Sequence, residues 1–293
     1  MQLRGASRAA AFFEGDRNPP MAAQWNNLLQ HLGVWEGSFT RLNPRGEITA
    51  DTPTTVELAG LDENRRIRQT IARFPADAPP PAPQVLEYGT LSRGMLLFEN
   101  GAFSLGSMQF SPFATFGAEF GFIAADRRLR LVTLFDRESQ LSELTLIREG
   151  AKGSDALERL PLEVEQLCGQ WQGAATAIYP DYRPPQTYST QLEVRHSGDR
   201  LQQKLQAPGL ELTSEARIDG QRLYFESGPL AYQVLLLPAG ASCNVPPKIL
   251  NRQPFFLEVG WLLARDRRLR LLRNYDASGA WTNLTLIDER KVG

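Results

Sequence analysis

The sequence predicts an all-β protein made of two tandem antiparallel β-barrels that arose by internal duplication, each preceded by a short helix. Three observations carry this. A set of motifs, one of them an identical hexapeptide, recurs in the same order in both halves. The segments between them are short and alternate apolar with polar residues. Turn residues punctuate them at hairpin spacing.

The repeat is read directly. Asp126-Arg-Arg-Leu-Arg-Leu131 returns letter for letter as Asp266-Arg-Arg-Leu-Arg-Leu271, and Leu144-Thr-Leu-Ile147 returns at the same spacing as Leu284-Thr-Leu-Ile287. Glu119-Phe-Gly-Phe122 matches Glu258-Val-Gly-Trp261. Upstream, Leu97-Phe-Glu-Asn-Gly101 matches Tyr224-Phe-Glu-Ser-Gly228, and Gly33-Val-Trp-Glu-Gly37 matches Gly169-Gln-Trp-Gln-Gly173. Order is kept while loop lengths drift, so whole domains of ~130 residues were duplicated; solenoid repeats are far shorter, at ~20–50 residues.

Taken in order, residues 1–20 read as a disordered tail, and Met21, immediately before the first patterned segment, is an alternative start. The first barrel is expected over 21–150. Trp25, Leu28, Leu29 and Leu32 recur at i, i+3, i+4 and i+7, which predicts an opening helical turn or two. Strand alternation follows, as in Thr55-Val-Glu-Leu58 and residues 129–134, with a stiff proline-rich connection over 75–83. Residues 151–157 read as a linker. The second barrel is expected over 158–293, where Pro161 opens a helical segment ending at Leu167 and Gln191-Leu-Glu-Val-Arg195 alternates as a strand. Asn100-Gly101, Ser197-Gly-Asp199, Asp219-Gly220 and Ser278-Gly279 supply residues that tolerate the positive φ of tight hairpins. About eight strands per copy are expected.

Composition narrows the function. The 293 residues are 42% hydrophobic, enough to bury a core in each of two domains, and 32 basic side chains balance 33 acidic ones. A net charge of -1 gives no long-range attraction to nucleic acid or an anionic membrane. Cys168 and Cys243 lie far apart without metal or disulfide spacing, which fits a reducing, cytoplasmic compartment. The apolar stretches at 231–237 and 255–264 are shorter than the ~20 residues of a membrane helix, so no membrane span is expected. His31 and His196 are isolated, one in each copy, and read as structural or solvated. No metal, cofactor or phosphate loop is expected.

A short helix, then Gly-x-Trp on the first strand, a meander of hairpins and an arginine after the last strand together resemble the lipocalin and fatty-acid-binding superfamily, the calycins. That resemblance implies a tryptophan at the closed end under a late arginine, here Trp35 with Arg148 and Trp171 with Arg290. Gln253-Pro-Phe-Phe-Leu-Glu-Val-Gly-Trp-Leu262 and Tyr275-Asp-Ala-Ser-Gly-Ala-Trp-Thr-Asn-Leu-Thr-Leu-Ile-Asp-Glu289 resemble a mainly cyanobacterial and plastid family of unknown function with tandem calycin-like domains. This second likeness implies a phototroph source and no assigned activity. The motifs of the bilin lyases, which share the calycin-like fold, are not found in the sequence.

The candidate site residues follow from the repeat and the barrel. Glu99, Glu119, Glu226 and Glu258 recur at matched positions, as do Arg130 and Arg270. If they point inward, they place a carboxylate and a guanidinium in an apolar cavity; if outward, they are cross-strand ion pairs on a solvated face, and the outward arrangement is the preferred reading. The Asp-Arg-Arg runs read as rim charges. The leading functional expectation is non-catalytic binding of a small hydrophobic molecule of pigment, lipid or isoprenoid type. Phe98, Phe120, Phe122, Phe225, Trp261 and Tyr275 would form the walls, and Glu258, Arg270 or Tyr232 would fix the polar end, with Glu119 and Arg130 as the first copy's counterparts. One alternative is a cyclase or isomerase using Glu258 as general acid or base. Another is an assembly factor whose outer faces recognise a protein of the photosynthetic apparatus. Cys243, on the second copy's long insertion, is read as overhanging a barrel mouth, where a bilin thioether is conceivable; Cys168 is read as a small packed side chain.

Overall fold

The computed structural model of the protein describes residues 19–155 and 160–292. The first copy comprises α1 (Pro19–Leu28), β1 (Gly33–Leu42), β2 (Ile48–Leu61), β3 (Arg66–Arg73), β4 (Gln84–Tyr88), β5 (Met95–Leu97), β6 (Phe103–Gly106), β7 (Phe116–Ala124), β8 (Arg127–Phe135) and β9 (Leu141–Ala151). The second comprises α2 (Val164–Leu167), β10 (Gly169–Ile178), β11 (Gln186–Ser197), β12 (Arg200–Ala207), β13 (Leu210–Asp219), β14 (Arg222–Phe225), β15 (Tyr232–Leu236), β16 (Ala241–Val245), β17 (Phe255–Ala264), β18 (Arg267–Tyr275) and β19 (Trp281–Val292).

All described pairings are antiparallel. The second copy closes into a ten-stranded barrel, β10 returning to β19; the first is a curled nine-stranded sheet, open between β4 and β5. The two thus have nine and ten strands where about eight were expected. In the second copy the Asp219-Gly220 turn carries β13 straight into β14, and that pairing closes the ring; the tenth strand comes from β15 and β16, which lie between β14 and β17 where the first copy has β6 alone. In the first copy residues 89–94 replace that turn, so β4 finds no partner in β5. The glycines of the four predicted hairpin turns, Gly101, Gly198, Gly220 and Gly279, all have positive φ.

The helical expectations hold with shifted bounds. The first continues from α1 into a 3-10 turn ending at His31, and the second starts at Val164, capped by Glu163, and not at Pro161. The tail read over 1–20 lies outside the described residues except for Pro19 and Pro20, which open α1, and residues 156 and 157 of the linker also lie outside them. No helix among the described residues is long and apolar enough to cross a membrane.

An extensive apolar core lies between the two units. It joins Phe116, Phe120, Phe122 and Leu131 of the first copy to Cys243, Phe255, Val259, Trp261 and Tyr275 of the second. β7 and β17, matched strands of the repeat, meet there. Backbone bonds stitch the same contact, from Phe110 N to Gly279 O (2.7 Å) and from Leu141 N to Pro247 O (2.9 Å). This explains why residues 255–264 read as almost continuously apolar: one face lines the second barrel's interior while the other meets the first unit.

A buried ion network under an apolar cavity in each barrel

Gly-x-Trp-x-Gly opens each barrel, and its register explains the spacing. Trp35 and Trp171 are buried, and each indole N–H donates 2.9 Å to a carbonyl of the preceding helical turn, His31 and Leu167 respectively. Two residues on, Gly37 pairs with Glu149 and Gly173 with Glu289. A Cβ at Gly37 would collide with the Arg148 carbonyl, and one at Gly173 with the Thr190 hydroxyl, so only glycine lets the chains approach beside the buried carboxylates.

Those carboxylates organise matching networks. In the second barrel Glu289, 1% exposed, receives Arg268 Nε and Nη2 at 2.8 and 2.6 Å and Arg270 Nε and Nη2 at 3.1 and 2.8 Å. Arg270 Nη1 then reaches Glu258 Oε1 at 3.1 Å. In the first barrel Arg128 Nε reaches Glu149 at 2.7 Å, Arg130 Nη2 reaches it at 3.2 Å, and Arg130 Nη1 reaches Glu119 at 2.9 Å. Burial pushes Glu149 and Glu289 up, but the paired guanidiniums outweigh it and hold both below the usual carboxylate range. Each network holds two cations and two anions.

The preferred outward reading of Glu119, Arg130, Glu258 and Arg270 is therefore corrected: all four face the barrel interiors and line cavities. Strand parity could not decide this, because the other face of β7, β8, β17 and β18 is buried too. Arg128 and Arg268, read as rim charges, are also interior, and they supply the cations over the tryptophans: Arg128 stands 4.7 Å from the Trp35 ring and Arg268 4.9 Å from Trp171. Arg148 reaches Ser38 and Thr40, and Arg290 is exposed. Glu99 and Glu226 are exposed too, outside the strands.

Above each network lies a cavity, of about 360 Å³ in the second barrel and about 420 Å³ in the first. In the second, Leu192, Leu205, Phe225, Val234 and Phe256 form much of the wall, Leu210 and Leu212 stand half-exposed, Asn244 adds polar atoms beside Glu258, and Thr190 adds a hydroxyl from β11. Of the expected wall residues only Phe225 is there. Phe98, Phe120, Phe122, Trp261 and Tyr275 pack on the opposite face, in the core between the units. Tyr232 stacks on Phe256 at 4.4 Å, its hydroxyl accepting from Phe256 N, and burial pushes its phenol up to about 12. Cys243 does not overhang a mouth; it is fully buried on β16 in the core between the units, where burial pushes its thiol up, so it offers no site for a thioether. Cys168 is half-buried beside α2, its thiol 3.5 Å from the Val164 carbonyl.

The first cavity runs to the gap between β4 and β5, past Leu86, Tyr88, Leu91 and Ser92, and His31 lines it. His31 Nε2 lies 2.8 Å from the Gly101 carbonyl, which assigns the proton to that nitrogen. Burial, together with Arg128, lowers its pKa to about 4. The unfolded chain takes up a proton near pH 6.5 that the folded one refuses, so stability is lost as pH falls from about 6.5 toward 4. Between pH 7.5 and 5 the wild type is expected to lose about 2 kcal/mol more than His31→Gln in urea unfolding. Parallel losses in the two proteins would refute the neutral buried imidazole. The carboxylate networks act lower, their contribution fading only below the ordinary glutamate pKa, and equally in both proteins.

Glu149, Glu289, Arg128 and Asn244 escaped the sequence reading. The two glutamates lie two residues past the Leu-Thr-Leu-Ile repeat at its own spacing, a signal present and not followed; Asn244 has no counterpart, since Leu105 occupies its place opposite Glu119.

Two family models match the chain. The N-terminal domain of DUF3598, a domain of unknown function, matches residues 21–154, and the C-terminal domain of biogenesis factor required for ATP synthase 1 matches residues 158–292. Among solved structures, the chain is similar to a DUF3598 protein of unknown function from Nostoc punctiforme, with 44% identity and a TM-score of 0.87 over 92% of this chain and 99% of that one. It has a remote likeness to an S-type phycobiliprotein lyase from Guillardia theta, with 9% identity and a TM-score of 0.36 over 44% of this chain and 90% of that one. No curated protein matches.

Proposed function

The chain belongs to the DUF3598 family, and from the cavities its two units enclose we propose that it is a non-catalytic binding protein for a small amphipathic molecule, held with its apolar body in the barrel and its polar end on the ion network. The observation that carries this reading is the second cavity: its volume lies within the range of small-molecule pockets, about 300–1,000 Å³, and its aliphatic wall ends on Glu258, Arg270 and Asn244. A barrel serving only as scaffold has no use for such a space. Glu258 is engaged by Arg270 at 3.1 Å and by Asn244 at 3.4 Å, an arrangement that positions a carboxylate within a charge-balanced cluster, so a binding role is preferred to a cyclase or isomerase.

Filling the cavity tests the reading. In a titration with the neutral fluorophore N-phenyl-1-naphthylamine, the wild type is expected to saturate, and Val234→Trp, which places an indole in the second cavity, is expected to bind one probe fewer per chain at a similar melting temperature. Equal stoichiometry in the two proteins would refute the second cavity as the site.

The match of residues 158–292 to a model named for ATP synthase biogenesis supports a second reading, an assembly factor acting through its outer faces. Complementation separates the two. In a cyanobacterium lacking the gene, an assembly role exercised through outer faces predicts that Val234→Trp restores ATP synthase levels as well as the wild type, whereas a function needing the ligand predicts that it does not.

A further inference from the structure

The floor of the second cavity is already neutral. Arg268 and Arg270 are matched by Glu289 and Glu258, and all three guanidinium nitrogens of Arg270 are engaged by these carboxylates. A ligand carboxylate would bring an unmatched negative charge into a largely apolar space beside Glu258, where both guanidiniums are already matched by carboxylates. The barrel therefore differs from one built to hold a fatty acid.

What the cavity does offer is an acceptor. Asn244, on β16, sits directly opposite Glu258 on β17, and its amide nitrogen donates to Glu258 Oε2 at 3.4 Å. This contact fixes which way the amide points, because the reverse orientation would set its oxygen against the carboxylate. Asn244 Oδ1 is thereby left buried without a hydrogen-bond partner among the described residues, and so is the hydroxyl of Thr190, a residue 4% exposed that lines the same cavity. Buried acceptors are nearly always satisfied, so such an atom in a cavity wall calls for a donor. The first barrel carries Leu105 opposite Glu119, so this acceptor belongs to the second copy alone.

We propose that the second cavity selects an uncharged amphiphile that ends in a hydrogen-bond donor, a hydroxyl group, which Asn244 Oδ1 accepts, over the same chain ending in a carboxylate. The proposal rests on the ligand-binding reading above and narrows it to aliphatic or isoprenoid alcohols.

Three probes of one chain length isolate the head group: 1-dodecanol, dodecanoate and dodecyl methyl ether, each displacing N-phenyl-1-naphthylamine from the site that Val234→Trp removes. The alcohol is expected to bind about tenfold or more tighter than either of the others, the size of effect set by one buried acceptor satisfied or left bare. Asn244→Leu, which copies the first barrel's own residue, is expected to bring the alcohol-to-ether ratio close to one. The wild-type ratios decide the matter alone if that variant does not fold. Dodecanoate binding as tightly as the alcohol would overturn the proposal and leave the ligand-binding reading standing. An alcohol preference that survives in Asn244→Leu would overturn the assignment to Asn244. If neither the fluorophore nor any of the three binds, both fall together.

Discussion

Glu289→Gln is expected to destabilise the protein by about 3–5 kcal/mol, measured as the loss of unfolding free energy in urea at neutral pH. Glu289 is almost fully buried and takes four hydrogen bonds from Arg268 and Arg270. The amide that replaces it is nearly the same shape, so packing survives while two buried guanidiniums are left with one carboxylate, Glu258. The penalty comes from this imbalance, since breaking a buried pair strands a charge. It should also depend on pH in a defined direction. The carboxylate's pKa is depressed on folding, so its contribution is present above the unfolded glutamate value and lost as pH falls through the folded one. The gap between wild type and variant should therefore shrink in acid. A cost under about 1 kcal/mol would mean that the network is solvated and not buried in the barrel interior.

Arg273→Met is expected to uncouple the two units, at a cost of about 3 kcal/mol or more. Arg273 is fully buried on the outer face of the second barrel and reaches across to the first. Its Nη1 donates to Gly94 O at 3.1 Å, its Nη2 to Gly106 O and Ser107 O at 3.2 Å each, and its Nε to the Tyr275 hydroxyl at 2.7 Å, which in turn donates to Ser107 O. Its guanidinium also stacks 3.5 Å from the Trp281 ring. Methionine fills the space but removes the guanidinium's bonds to three carbonyls of the first unit in a buried interface, of which Ser107 O keeps the Tyr275 hydroxyl and Gly94 O keeps the Gly106 amide. The wild type should unfold in one transition and the variant in two, with Trp281 fluorescence shifting red in the first. A single transition with an unchanged midpoint would show that the apolar core alone holds the units together.

The order of elements was legible because duplication prints it twice and because hairpin turns demand glycine where φ is positive. The interior of the barrels was half legible. Glu119, Arg130, Glu258 and Arg270 stood out by recurrence, yet their direction stayed hidden: on β8 and β18 the alternating leucines are also buried, against the other unit, so a period of two could not say which face was inside. The same ambiguity sent Phe120, Phe122, Trp261 and Tyr275 to the cavity walls when they build the interface. An aromatic residue on a strand reads alike in both settings. Arg273 was beyond reach of the repeat, because its matched position in the first copy is Thr133; it serves the contact between copies, which exists only once. Closure of the second barrel and opening of the first turned on a handful of residues between β4 and β5, too few to carry a pattern.

Native mass spectrometry of the protein purified from a cyanobacterial host tests most directly whether the barrels hold a ligand. The chain mass plus a discrete non-covalent increment is expected, reduced or lost in Val234→Trp. The bare chain mass in both proteins would contradict it.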